Sequence, residues 1–242
     1  MTRFAAVVPS DRAPGLHVEP GVVIPDDTLI APHVTIYAGV QIGAGVIIAQ
    51  GVILGRPQQR DARSRSPLPP DGKPTRIGDG CQIGSGTVLA EGATMLAGAR
   101  VGDNAIIAGG VVMEEESLVG RNSGVAGYSR IGRRTRIQND VTIGPFSQIG
   151  ADVLISPRVI LVGDPTMGRR RNAGDPPAVT IGRACRVGTG AIIMPPVQVG
   201  EEALVGVAAV VTKDVAPRTV VVGIPARAVR AVRDDELLEA WE

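Results

Sequence analysis

The chain has 242 residues, a formal net charge of +1, 44% hydrophobic residues, 32 glycines and 19 prolines, and only 2% aromatics. Near-neutrality excludes bulk electrostatic attraction to nucleic acid or to an anionic membrane surface, and the wealth of Val, Ile and Ala excludes a disordered chain. A conventional globular core would use more Phe, Tyr and Trp as filler, so many small aliphatics among many glycines predict a narrow, repetitive core.

Residues 1–17 form an N-terminal segment whose apolar run is too short for a signal peptide. No later stretch approaches the roughly 18 residues of a membrane helix. Two cysteines, Cys81 and Cys185, are too few for a disulfide framework and lack metal-ligand spacing. Together these features predict a soluble, cytoplasmic protein.

From Val18 a period of six begins. Aliphatic residues fall at Val18, Ile24, Ile30, Ile36, Ile42, Ile48 and Leu54, resume without a break from Ile77 to Leu161, and return from Ile181 to Val211. Four residues after each sits a second small side chain, such as Val34, Ala99, Ser123 or Thr135, with Gly, Asn and Asp between. Six matches neither a 3.6-residue helix nor a two-residue alternation, but it suits short strands joined by tight turns. Three hexads make one triangular coil. Residues 18 apart then stack, so Met95, Met113, Ile131 and Ile149 form one buried ladder. The fold expected is all-β: a parallel β-helix over 18–215, with two extruded loops.

The repeat breaks at Gly55–Arg76 and at Val162–Thr180. The first break carries Arg56, Arg60, Arg63, Arg65, Lys73 and Arg76; the second carries Arg169, Arg170 and Arg171. Basic excursions of this kind either bind phosphate groups or are simply solvated. Residues 216–242 read as a cap, and DDELLEAWE reads as a short amphipathic helix docking through Leu237, Leu238 and Trp241.

The pattern [LIV]-G-x-x-[STAV]-x, present as IGDGCQ, IGSGTV, VGDNAI, IGRRTR and VGTGAI, resembles the hexapeptide-repeat acyltransferase superfamily over roughly residues 18–230. The resemblance implies left-handed coiling, a homotrimer and acetyl-coenzyme A as cosubstrate, with no metal. VVTKDVAPRTVVVGIPARAVR resembles the closing motif of coenzyme A-dependent members. It implies Lys213, Arg218 and Arg227 as partners of the coenzyme's phosphates, the alternative being that Gly223, Pro225 and Ala226 merely shape the chain's exit. RIQNDVTI resembles the segment that sugar-nucleotide N-acetyltransferases place beside the thioester, and LVGDPTMGRR resembles the loop over their active site. Gln138, Asn139 and Asp164 are the catalytic positions this implies, although Gly163 replaces that loop's usual Asn. Turn geometry alone would also suit Asn139 and Asp164.

Many members of the superfamily that the chain resembles use a histidine to take the acceptor's proton, yet His17 and His33, the two in the chain, both precede the first break. Two histidines also cannot supply the three ligands that a γ-class carbonic anhydrase needs for zinc. An amine attacks a thioester with little help, whereas a hydroxyl needs a base. The reading is therefore N-acylation of a small acceptor, a nucleotide-linked amino sugar, with Gln138 or backbone N–H groups holding the oxyanion. The alternatives are O-acetylation of a sugar or small metabolite, and a non-catalytic β-helix scaffold. Glu114, Glu115 and Glu116 should meet the Arg133–Arg134 neighbourhood as a surface ion-pair ladder. Tyr37, Tyr128 and Phe146 are the scarce surfaces on which a nucleobase can stack.

Overall fold

The computed structural model describes residues 8–10, 12–58, 73–169 and 178–240. Within them the chain winds as a left-handed triangular β-helix whose three faces are sheets of 11, 8 and 11 strands, parallel except for one terminal strand in each of the larger two. Most strands are two residues long and pair with the strand 18 residues on, as Leu89 does with Ile107 and Ile107 with Val125. In chain order the faces are called first (including Ile106–Ile107 and Thr142–Ile143), second (Val112–Met113, Ile131 and Ile149) and third (Leu118–Val119 and Arg136–Ile137). The first edge joins the first face to the second, the second edge the second to the third, and the third edge closes the triangle. Met95, Met113, Ile131 and Ile149 do stack on the second face, and all four are buried in one continuous core.

The hexad's glycine has a steric cause. It follows the inward aliphatic at the corner, where a Cβ on Gly132 would lie 2.4 Å from the carbonyl carbon of Gly150 in the next rung, and one on Gly200 would lie 2.5 Å from Pro217 N. Rungs about 4.8 Å apart leave no room for a methyl group there. The small residue four positions after the aliphatic has a polar cause. Thr87, Ser129 and Thr135 donate from their hydroxyls to the carbonyl 15 residues on, on Gly102, Gly144 and Gly150 at 2.7, 3.0 and 2.6 Å. Each satisfies a corner carbonyl that the sheets leave over. Cys81 and Cys185 take the same position and donate through sulfur to Leu96 O at 3.1 Å and Gly200 O at 2.9 Å. They stand in for hydroxyls.

Both ends of the solenoid carry an antiparallel strand. Val8–Ser10 pairs with Leu16–Val18 at the start, and Thr219–Val222 turns back into Arg227–Ala231 at the finish. The expected short C-terminal helix takes the form of two 3-10 turns, Asp234–Glu236 and Leu238–Ala240. So short a segment cannot nucleate an α-helix. It is pinned by Arg230, which grips Glu236 at 2.6 and 2.9 Å, and by Leu238, which is buried; Trp241 lies outside the described residues. The glutamate ladder takes a different partner from the one expected. Glu114 pairs with the Arg130 guanidinium at 2.5 Å and accepts only the backbone N–H of Arg133, while Arg134 holds Asp152 in a two-pronged grip at 2.7 and 2.9 Å. Arg183 continues this second-edge ladder to Glu201.

Gly132→Ala should destabilise the fold by about 1–3 kcal/mol through overpacking. Gly124→Ala, where a Cβ meets nothing within 4 Å, should hold or raise the melting temperature; thermal melts decide. Burial pushes the Cys81 thiol up to about 11 and the Cys185 thiol to about 12. Both should therefore resist a thiol-specific disulfide reagent at pH 8 until the chain unfolds. Because the unfolded chain ionises first, stability should fall as pH rises above 9 and be partly rescued by Cys81→Ser and Cys185→Ser.

Candidate active site

Gln138 and Asn139 leave the strand Arg136–Ile137 at the third edge. Gln138 is exposed and stands where the rungs below it on this edge carry Gly84, Gly102 and Gly120, so this corner projects a long amide instead of a bare backbone. Its own carbonyl accepts a hydrogen bond from Ser123 Oγ at 3.0 Å. Asn139 is half-buried, and its Oδ1 accepts the backbone N–H of Arg121, one rung down, at 3.0 Å. Asp103 does the same for Ser85 N–H at 2.8 Å, as does Asp79 for Ala44 N–H at 2.8 Å. Asn139 is thus a corner staple, whatever else it does.

Asp164 follows Ile160–Leu161 at the first edge. Its carboxylate caps its own loop: Oδ1 accepts from Thr166 N–H and Thr166 Oγ1, both at 2.7 Å, and Oδ2 accepts from Gly168 N–H at 2.7 Å. This turn geometry keeps the acid side chain beside its own loop. Since Thr142–Ile143 pairs with Ile160–Leu161, Gln138 and Asp164 lie about one rung apart in height but on opposite borders of the first face. One chain does not bring them together.

Lys213 sits on the first edge, two rungs above Asp164. Arg218 is on the second edge, its N–H donating to Glu201 O at 2.9 Å. Arg227 opens the terminal antiparallel strand, its Nη1 donating to Ala226 O at 2.9 Å. All three are exposed, and they ring the top of the prism rather than form one cluster. Two surface clefts of about 260 and 340 Å³ lie on the second face, beside Arg130 and beside Arg76, and neither includes Gln138, Asn139 or Asp164. Arg60, Arg63, Arg65, Arg170 and Arg171 lie outside the described residues. Both insertions nonetheless leave the first edge, one after Ile53–Arg56 and the other after Ile160–Leu161. His17 sits in a strand of the first face paired with Thr35. His33 is exposed in a third-edge turn far below Gln138. Among the described residues no group of three or more His, Cys, Asp or Glu is placed to hold a metal.

The first edge carries one further feature. Tyr128 and Phe146 stack with ring centroids 5.2 Å apart and planes within 5°. Both backbones are left-handed, at φ 61° and 62°, as are those of Asn104, Asn122, Asp140 and Arg158 at the equivalent turn position of other rungs; the stacked pair returns about 0.5–1.5 kcal/mol. Their separation of 18 was the signal in the sequence that they meet.

Repeat models match these rungs directly: the bacterial transferase hexapeptide (six repeats) covers residues 21–56, and the hexapeptide repeat of succinyl-transferase covers 74–115 and 178–213. The rungs are hexapeptide repeats of the kind these transferase models describe. Among curated relatives of this hexapeptide-repeat chain, galactoside O-acetyltransferase of Escherichia coli K12 is 35% identical over 89 residues, 35% of this chain and 44% of that protein. Serine acetyltransferase of Mycobacterium tuberculosis is 36% identical over 80 residues, 33% of this chain and 32% of that protein. The chain spans less than half the length of these relatives. The UDP-N-acetylglucosamine acyltransferase structure from Francisella novicida superposes with a TM-score of 0.63 at 17% identity, over 93% of this chain and 73% of that one, a likeness of fold.

Asn139→Asp keeps the oxygen acceptor and should leave the melting temperature near that of the parent chain. Asn139→Ala should cost about 1 kcal/mol by releasing Arg121 N–H, and denaturant titration measures the difference.

Proposed function

We propose that this chain is a coenzyme A-dependent acyltransferase that moves an acetyl or other short acyl group onto the amine of a small acceptor, a nucleotide-linked amino sugar. The repeats matched, and relatives named as acetyltransferases, support acyl transfer. The single observation that carries the amine is the position of the histidines: both lie in the lowest rungs, well away from Gln138 and Asp164 in the chain. An amine, made neutral by a desolvating cleft, needs no imidazole to attack a thioester. In this reading Gln138 donates to the developing oxyanion, Asn139 fixes the corner that presents it, and Asp164 shapes the loop across the face. Lys213, Arg218 and Arg227 take the coenzyme's phosphates. O-acetylation is the second reading, favoured by the E. coli relative's printed name and calling on Asp140 or Asp164 as base.

A homotrimer is part of the proposal. From Thr35 upward the first face presents Ile53, Val88, Ile106, Gly124, Thr142, Ile160, Ile192 and Val210 as the leading residues of its strands, without a charge. The second and third faces carry Arg76 and Arg130, and Arg100, Arg136 and Arg186. Ile106 and Ile160 are 52% and 39% exposed in the lone chain, which is the character of a surface that copies share. Packing copies about this face sets one chain's Gln138 border against a neighbour's Asp164 border and makes the cleft that a single chain lacks. No helix among the described residues is long and apolar enough to cross a membrane, and two unpaired thiols support a cytoplasmic setting.

Calorimetric titration with coenzyme A should give saturable binding, weakened about 5- to 10-fold by Lys213→Ala or Arg218→Ala and further by added salt. With acetyl-coenzyme A and a UDP-linked amino sugar, the product should be a hydroxylamine-resistant amide. No heat at millimolar coenzyme A would overturn acyl transfer; an ester product would establish the second reading.

A further inference from the structure

The third face presents one outward column in which arginine and leucine alternate. Arg100 pairs with Leu118, Leu118 with Arg136, Arg136 with Leu154, Leu154 with Arg186, and Arg186 with Leu204. The three arginines are used differently. Arg186 is half-buried and turns its Nη1 to the carbonyls of Asp152, Ala184 and Cys185 at 2.7, 3.1 and 3.1 Å. Arg100 and Arg136 are exposed, and neither guanidinium has a hydrogen bond or ion pair among the described residues. On the second face and second edge, by contrast, Arg130, Arg134 and Arg183 each hold a carboxylate.

Two rungs, about 9.6 Å, separate the two unpaired arginines, with Leu118 between them and the bare backbone of Gly102 and Gly120 alongside. No carboxylate leads a strand of this column. On the third edge beside it, Asp103 accepts Ser85 N–H at 2.8 Å and Asp140 accepts Asn122 Nδ2–H at 3.2 Å. On the other border Glu115 and Glu116 are exposed and pair with neither arginine. Long stems let both guanidiniums lean over Leu118 towards one point, where an anion of more than one charge relieves their mutual repulsion. Their planar forks suit phosphate oxygens. Arg136 and Gln138 flank the inward Ile137 and are both exposed, so this anion would lie beside the proposed oxyanion donor. Lys213 stands three rungs above Gln138, and coenzyme phosphates held at that height leave the lower pair to another phosphate group. We propose that Arg100 and Arg136 form a diphosphate-binding subsite, filled by the diphosphate of a nucleotide-linked acceptor. The subsite rests on the acyl-transfer reading, and the coenzyme's own diphosphate is the other source of the same chemistry.

The test uses Arg100→Gln and Arg136→Gln, singly and together, in the full chain. Glutamine already leads a strand of this column at Gln82, directly beneath Arg100, so the fold accepts it there. Arg133→Gln removes the same charge from the second edge as a control. UDP, ADP and coenzyme A are titrated into each, with inorganic pyrophosphate as competitor. Each single variant should weaken UDP about 5- to 10-fold and the double variant more, while coenzyme A stays within about twofold of the parent. Arg133→Gln should change no ligand by more than about twofold. Loss of ADP and coenzyme A with UDP retained keeps the subsite and assigns it to the coenzyme; equal loss of all three makes it shared. Variants that bind every ligand like the parent, or a control that loses as much as they do, would overturn the subsite alone. A parent chain that binds none of the three removes the acyl-transfer reading as well, which is a separate outcome from parent and variants binding alike.

Discussion

The closeness of successive rungs governs this molecule. Where the chain turns a corner, the backbone of one rung lies so near the next that a methyl group on Gly132 or Gly200 would overlap it. The approach favours glycine at corners such as Gly132 and Gly200 and brings a corner carbonyl within reach of a small hydroxyl or thiol one rung below. It also holds residues 18 apart in register, so that any chemistry placed at a corner repeats up an edge. The aliphatic interior supplies the driving force; the corners decide that the product is a prism and not a collapsed globule.

Given that register, each edge carries its own chemistry. The second edge is a ladder of opposite charges running through Arg134, Asp152, Arg183 and Glu201. The third edge holds Asn139 and Asp103 as staples that accept backbone N–H groups from below. The first edge ejects both insertions and bears the aromatic pair. Segregation of this kind follows from stacking. A side chain at a corner meets the residue 18 positions away above and below it, so a charge or an amide there finds its partner on the neighbouring rung.

The fold was legible in the sequence because the inward aliphatics and small residues repeat with a fixed period, and Met95 through Ile149 stack as the count of 18 requires. The cysteines were legible as inward residues, though not as donors to Leu96 O and Gly200 O, since a hexad written in letters does not say which carbonyls are left over. The short C-terminal helix was legible from its amphipathic spacing, though not its form as two 3-10 turns with Arg230 anchoring Glu236 and Leu238 buried. The candidate site was only half legible. Gln138, Asn139 and Asp164 stand out as departures from the repeat, but counting hexads shows that they occupy different edges, and a linear motif does not show that.

The reversed strands at the two ends have a consequence for how these prisms behave in a crowded solution. A parallel coil is an open lattice: its last rung offers the donors and acceptors on which another rung could grow, and two such ends placed together would continue one another into a fibre. Val8–Ser10 runs against the lattice on the first face at the base and Arg227–Ala231 on the third face at the top, so at either end an incoming coil meets a template of the wrong direction on one of its three faces. Reversing a few residues of chain thus spoils the match on which an end-to-end continuation depends.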